Sequence, residues 1–161
     1  MNEPMNEIAP GLYLGDIFAA RNASYLRENG VTSILSIARG SLALLNGTFA
    51  DETSSGQPFR HLQIELDDLP QERLLEYLEE GVQFIDGTLG DQDKGGKILV
   101  HCMQGISRSC SFVVAYLIWK DGITLGEALA QVQEKRKARP NAGFYRQLVD
   151  WESRCKQRTL S

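Results

Sequence analysis

A cysteine and an arginine six positions apart, Cys102 and Arg108, are the side chains best placed for chemistry in this 161-residue chain. Cys102 follows a short apolar run that is typical of a buried strand, and Arg108 precedes an apolar stretch that is typical of a buried helix. A loop that enters a helix binds anions, because the first helical amides are unpaired and lie at the positive end of the helix dipole. Gly105 permits the positive φ that such a loop needs, and the planar fork of Arg108 can hold two oxygens of a tetrahedral oxyanion.

The thiol of Cys102 lies in the same positive field as the bound anion. Amides, helix dipole and Arg108 all favour its thiolate form, which is the nucleophilic form of cysteine. A thiolate beneath a bound phosphate is placed for in-line attack at phosphorus, and water must then hydrolyse the thiophosphate. Ser109 can donate a hydrogen bond to the departing sulfur. We expect no metal or other cofactor, because amides and arginine supply the charge stabilisation.

Expulsion of an alkoxide or phenoxide also needs a proton donor, which the loop at Cys102 does not contain. Asp67 and Asp68 follow a predicted strand and precede Pro70, so they lie on a loop at the end of a sheet strand. Sites assemble at this edge in open α/β sheets. Either carboxyl group fits the role on this ground, and the alternative for both is a turn or helix-capping residue.

Apolar periodicity places these loops on a regular scaffold. Strands that alternate with helices predict a single α/β domain over residues 1–161, with a mostly parallel twisted sheet of about five strands and helices on both faces. We expect an exposed loop at 51–56 and a helix that Asp16 caps and Gly30 ends. The predicted strands are 11–15, 31–37, 59–66 and 97–101, and the predicted helices are 16–29, 70–87, 109–120, 124–139 and one that begins after Asn141.

Composition excludes several classes of protein. The 17 basic and 21 acidic residues give a net charge of −4, which argues against a nucleic-acid binder with a broad basic surface. Three cysteines and two histidines fit neither a disulfide scaffold nor a zinc site. The sequence shows no secretory signal and no apolar stretch that would span a bilayer. We expect a soluble, cytoplasmic or nuclear protein, monomeric and without a membrane partner.

Several segments, in the correct order, resemble a known family. Residues His101 to Ser109 have the form His-Cys-x-x-Gly-x-Ser-Arg-Ser, which resembles the signature of the cysteine-dependent protein phosphatases and their dual specificity branch. The resemblance covers roughly residues 8–155 and is to the small, atypical members that consist of the catalytic domain alone. The further matches are Leu12–Gly15, Ala115–Ile118 and the block Arg139, Pro140, Asn141, Phe144, Gln147 and Leu148.

This resemblance implies a protein tyrosine phosphatase-like fold and a metal-independent phosphatase. The implied substrates are phosphotyrosine and phosphoserine or phosphothreonine monoesters of proteins, hydrolysed through a cysteinyl-phosphate intermediate. Cys102 is then the nucleophile and Arg108 the phosphate clamp. Asp68 matches the general acid better than Asp67, because the acid stands four positions after the residue that Ile64 matches. The implied substrate-binding residues are Met103, Gln104, Gly105, Ile106, Ser107 and Arg108, and the implied supporting residues are His101 and Asn141.

Other interpretations of these residues stay open. His101 is interpreted as a buried imidazole satisfied by backbone groups, which can still orient the loop but is not a general base. The basic run 135–139 is most simply a helix C-terminus that complements its dipole. Cys110 is interpreted as a packing residue, with a disulfide to Cys102 after oxidation as the less favoured role, and Cys155 as incidental.

Two other functions remain alternatives. One is a phosphatase of a phosphoinositide, an RNA 5′ end or a phosphoglycan, and the other is a phosphate-reading binding module. Pocket depth, which separates tyrosine-only from dual-specificity enzymes, depends on the loop 38–58.

Overall fold

Five strands form one sheet in the part of the chain that the computed structural model describes, residues 2–40, 58–90 and 95–160. Their order across the sheet is β1-β2-β5-β3-β4, and β2, β5, β3 and β4 run parallel while the edge strand β1 is antiparallel to β2. This confirms the predicted mostly parallel sheet. The strands are β1 (Met5–Ala9), β2 (Leu12–Gly15), β3 (Ser33–Ile37), β4 (Arg60–Ile64) and β5 (Ile98–His101).

Six helices within the described residues cover the two faces of this sheet, as the alternation of strands and helices predicts. The larger core lies between the sheet and the last four helices, around Phe112 and Phe144, and the smaller core lies under the first two, around Ile34 and Leu99. The helices are α1 (Ile17–Ala20), α2 (Ala23–Glu28), α3 (Leu75–Leu89), α4 (Arg108–Asp121), α5 (Leu125–Lys135) and α6 (Ala142–Leu160).

The central strand and helix carry the site. All four residues of β5 are fully buried, as the unbroken apolar run Ile98–Val100 predicts for a strand covered on both faces. Helix α4 is buried from Ser109 to Ile118, and Phe112 packs so closely on Gly81 of α3 that no Cβ fits there. Because β3, β4 and β5 run parallel, their carboxyl ends lie at one edge of the sheet, where the loops after them meet.

Two predicted helices have different boundaries in the structure. The predicted helix 16–29 is two helices, because Asp16 caps α1 at Ala19 and Asn22 caps a new helix, α2, at Tyr25. The capping box of Thr124 and Glu127 at the start of α5 is confirmed. That helix, however, ends at Lys135 instead of continuing to residue 139.

The segment after Pro70 also differs from its prediction. Pro70 does not lie in the first turn of the next helix, since residues 70–74 form turns and α3 begins at Leu75. The amide of Leu75 donates to Oε1 of Gln147 (2.9 Å), so the start of α3 is fixed by α6. Strand β1 had no counterpart among the predicted elements. The predicted loop 51–56 lies outside the described residues, and no helix within them is long and apolar enough to cross a membrane.

Candidate active site

The thiol of Cys102 lies immediately after β5, at the base of a cavity of about 280 Å³. The residue is only 3% exposed, and its Sγ is 3.0 Å from Oγ of Ser109 in the first turn of α4. This distance allows a hydrogen bond between the hydroxyl and the sulfur. The cavity is lined by Asp68, Cys102, Met103, Gln104, Ile106, Ser107 and Arg108.

The loop between β5 and α4 is held from outside through its carbonyl groups. Each carbonyl from Cys102 to Ile106 has a donor on the surrounding protein. The imidazole Nδ1 of His101 lies 3.2 Å from the Cys102 carbonyl, and the amide of Ile17 donates to Met103 (3.1 Å). The guanidinium of Arg136 donates to both Gln104 (3.1 Å) and Gly105 (2.9 Å), and the amide of Arg139 donates to Ile106 (2.9 Å).

Outward carbonyls leave the amides of the same peptide units facing the other way, toward the cavity, because N–H and C=O of a peptide unit point in opposite directions. The amides of residues 103–107 donate to no acceptor in the described part of the chain. Gly105 makes this curl possible with φ +67°, and a Cβ there would meet the Gly15 carbonyl oxygen at 2.5 Å. The loop is thus a nest of amides of the kind that binds an oxyanion.

Arg108 closes the nest at the start of α4. Its Nη1 donates to the Leu66 carbonyl (3.1 Å), which ties it to the loop after β4. Its Nε is buried and has no hydrogen-bond partner among the described residues. A buried donor without an acceptor is costly, and an anion oxygen in the cavity is the acceptor that would satisfy it.

The two neighbouring aspartates lie in different environments. Asp68 lines the cavity, and its Oδ1 accepts a hydrogen bond from Nδ2 of Asn141 (2.9 Å). Asp67 instead forms an ion pair with Arg39 (3.0 Å), which also pairs with Glu72 (2.8 Å). The geometry thus separates two carboxyl groups that the sequence alone leaves as alternatives.

The segment 66–72 that carries these aspartates is fixed by several contacts. Oε1 of Glu72 accepts from the amide of Asp67 (2.8 Å), and this hydrogen bond with that from Arg39 lowers the pKa of Glu72. The Glu72 carbonyl accepts from Gln147 on α6 (2.9 Å). Gly143 faces the Pro70 carbonyl so closely that any side chain there would displace it.

Asn141 connects this segment to the loop at Cys102. Its amide donates to Oγ of Ser107 (2.9 Å), while its side chain donates to Asp68 and accepts from the amide of Phe144 (2.8 Å). It therefore caps α6, as predicted, and bridges two loops that are distant in sequence.

The buried position of Arg136 is not predicted by the sequence. Its basic neighbours suggested a solvated helix end, yet Arg136 is only 2% exposed because the backbone leaves the helix there with φ −147° and ψ 140°. Besides the two loop carbonyls, it donates to Oδ1 of Asn6 in β1 (2.9 Å). Its only sequence signal is a long side chain within a basic run, which does not separate it from Lys135 or Lys137.

His101 lies beneath the loop, fully buried at the end of β5. Burial lowers its pKa to about 4, so the imidazole is neutral at physiological pH. Burial likewise raises the pKa of Cys110 and of Cys155, so these groups favour the thiol form. Within the described residues, no three His, Cys, Asp or Glu side chains are grouped closely enough to hold a metal ion.

Comparison with known proteins gives the family. Residues 12–154 match the family described as dual specificity phosphatase, catalytic domain. The human serine/threonine/tyrosine-interacting protein is 37% identical over 156 residues, 95% of this chain and 66% of that protein. Human dual specificity protein phosphatase 26 is 39% identical over 152 residues, 94% of this chain and 69% of that protein.

Solved structures agree with the sequence comparisons. The crystal structure of the human tyrosine phosphatase-like serine/threonine/tyrosine-interacting protein has a TM-score of 0.75 at 36% identity, over 92% of this chain and 95% of that chain. The chain spans about two thirds of the length of the two relatives named above. It belongs to the dual specificity phosphatase catalytic-domain family.

Proposed function

We propose that this chain is a dual-specificity protein phosphatase that uses Cys102 as nucleophile, Arg108 as phosphate clamp and Asp68 as general acid. The observation that carries the proposal is the single cavity that Cys102, Arg108 and Asp68 all line. A phosphate held by the amides of 103–107 and by Arg108 has its phosphorus above the Cys102 sulfur, which is the arrangement for in-line attack.

In the first step the Cys102 thiolate forms a bond to phosphorus as the bond from phosphorus to the ester oxygen breaks. Asp68 gives its proton to the departing oxygen, so that an alcohol or phenol leaves. The negative charge of the transferring group is stabilised by the loop amides and Arg108 throughout. The enzyme then carries a phosphate on the sulfur of Cys102, and the Asp68 carboxylate is ionised.

In the second step water attacks the same phosphorus, and Asp68 accepts its proton as a general base. The bond from sulfur to phosphorus breaks, and inorganic phosphate leaves. Ser109 donates a hydrogen bond to the departing sulfur, for which its Oγ is already placed 3.0 Å from Sγ. The cycle returns the thiolate and the protonated Asp68 to their starting states.

We propose phosphotyrosine and phosphoserine or phosphothreonine of proteins as the substrates, in accordance with the family. The rim of the cavity supports this, because Met103 and Ile106 are 50% and 37% exposed and offer apolar contact to a peptide. The loop contains no lysine, which weakens the alternative of a highly anionic phosphoinositide or phosphoglycan. We also propose a monomer in a reducing intracellular compartment, which the sparing use of cysteine, three residues in the whole chain, supports.

The test is turnover of an aryl phosphate in the presence of EDTA. We expect the native chain to turn over without added metal, Cys102→Ser to lose turnover, and the matched control Cys155→Ser to keep it. No turnover by the native chain, or equal turnover in Cys102→Ser, would refute the proposal. A panel of phosphotyrosine and phosphothreonine peptides, phosphoinositides and RNA 5′ phosphates then ranks the substrates.

A phosphate-reading binding module is the second candidate. It is favoured by one observation, that a relative 37% identical to this chain is named an interacting protein. The presence of a thiol, an arginine and an acid around one cavity opposes it. A binding module would retain phosphopeptide in equilibrium binding without releasing phosphate, whereas the proposed enzyme releases phosphate at each turnover.

A further inference from the structure

The only two histidines of the protein are joined through one serine beside the candidate nucleophile. Oγ of Ser36 in β3 is 2.6 Å from Nε2 of His101 in β5 and 2.9 Å from Nε2 of His61 in β4. Ser36 lies directly opposite His101 in the sheet and is fully buried. Three neighbouring parallel strands thus each contribute one residue to a continuous chain of hydrogen bonds.

The Cys102 carbonyl, at one end of this series of hydrogen bonds, fixes the direction of each of them. The carbonyl oxygen of Cys102 only accepts, so the Nδ1 of His101 that contacts it carries a hydrogen. Since burial keeps His101 neutral, its Nε2 has no hydrogen and must accept from Ser36. The hydroxyl of Ser36 has one hydrogen, already given to His101, and therefore accepts from the Nε2–H of His61.

These hydrogen bonds determine how His101 holds the start of the loop. A neutral imidazole exchanges between two tautomers, and only the one with hydrogen on Nδ1 can donate to the Cys102 carbonyl. That carbonyl is the first of the five that orient the loop amides. A hydroxyl that donates to Nε2 of His101 therefore favours the tautomer with hydrogen on Nδ1, which holds the start of the loop in place.

We propose that Ser36 and His61 are positioning residues that fix the tautomer and ring orientation of His101, and through it the backbone at Cys102. Ser36 acts directly on His101, and His61 orients the Ser36 hydroxyl. Neither residue contacts the cavity. The proposal rests on the function proposed above for its catalytic consequence, but its structural part is independent of turnover.

The structural part is tested by NMR of the protein labelled with ¹⁵N-histidine, in which two histidines give two sets of ring signals. We expect His101 with hydrogen on Nδ1 only and His61 with hydrogen on Nε2 only, at pH 7.5. His61→Gln removes one set and assigns both. A hydrogen on Nε2 of His101, or rapid exchange between its two tautomers in the native protein, would overturn the proposal.

The chemical part is tested by alkylation of Cys102 with iodoacetate, an anion that enters a phosphate site, with each cysteine followed by mass spectrometry. We expect Ser36→Ala to lower the alkylation rate at pH 7 by about tenfold, the size of one lost hydrogen bond, and to move the midpoint of its pH profile upward. We expect His61→Leu to lower the alkylation rate as well, by roughly threefold. His61→Gln, which keeps an N–H donor, restores the native rate.

Aryl phosphate turnover of the same variants completes the design. We expect kcat to follow the alkylation rate, with the matched variants His61→Leu and His61→Gln separating the donor from the bulk of the side chain. Equal alkylation rates and equal pH profiles in the native protein, Ser36→Ala and His61→Leu would refute the positioning role. If the native protein shows the expected tautomers and alkylation but no turnover, the proposed function fails while this inference stands.

Discussion

Arg136 holds the loop at Cys102 from a position outside the cavity. It is 2% exposed and donates to the carbonyls of Gln104 and Gly105 and to Asn6. Hydrogen bonds from a charged donor contribute about 1.5–3 kcal/mol each, so the two loop bonds amount to roughly 3–6 kcal/mol. Burial of the guanidinium opposes this, as its lowered pKa shows, and we expect a net loss of about 3 kcal/mol on removal.

The assay compares Arg136→Met with Lys137→Met, which removes an exposed cation from the next position. We expect urea unfolding to show a loss of about 3 kcal/mol for Arg136→Met and less than about 0.5 kcal/mol for Lys137→Met. Turnover of an aryl phosphate should fall at least about tenfold in Arg136→Met only, because the loop carbonyls lose their donor. An unfolding free energy and a kcat that match those of Lys137→Met would refute this reasoning.

Three further results are expected. Asp68→Asn slows hydrolysis of phenyl phosphate, a poor leaving group, by about a hundredfold or more, and Asp67→Asn by less than about threefold; equal losses would contradict the assignment of the acid. Gly143→Ala displaces the Pro70 carbonyl and with it Asp68, so kcat for phenyl phosphate falls about tenfold, whereas an unchanged kcat would show that the segment adapts freely. Folding lowers the pKa of His101 from 6.5 to about 4, so the unfolded chain binds a proton at a higher pH than the folded one. The free energy of unfolding should therefore decrease by about 2 kcal/mol between pH 7 and pH 5. An equal decrease in a His101→Asn variant would contradict this cause.

Sequence reasoning succeeded where the signal is local. The strand that ends at His101, the loop from Cys102 to Arg108 and the capping box at Thr124 are all written in consecutive residues, because apolar runs, glycines and caps act within one turn or strand. The same locality explains why the sequence predicts the loop at Cys102.

Contacts between residues that are far apart in the sequence could not be predicted from it. The residues near Asp68 do not indicate that Asn141, 73 positions away, donates a hydrogen bond to it. They also do not indicate that Asp67 forms an ion pair with Arg39. Strand β1 has a mixed polar pattern because it is an edge strand, and its polar Asn6 is used by Arg136. Strand order predicts which loops lie at one edge of the sheet, but these side-chain contacts between distant residues leave no signal in a single sequence.

The proposed mechanism requires a covalent phosphate on Cys102. Rapid quenching of the native chain with an aryl phosphate in EDTA, followed by peptide mass spectrometry, measures it directly. We expect a transient phosphate on the peptide that contains Cys102, present at a higher level in Ser109→Ala because the departing sulfur loses its hydrogen-bond donor. Phosphate on another residue, or turnover that persists in Cys102→Ser, would contradict it.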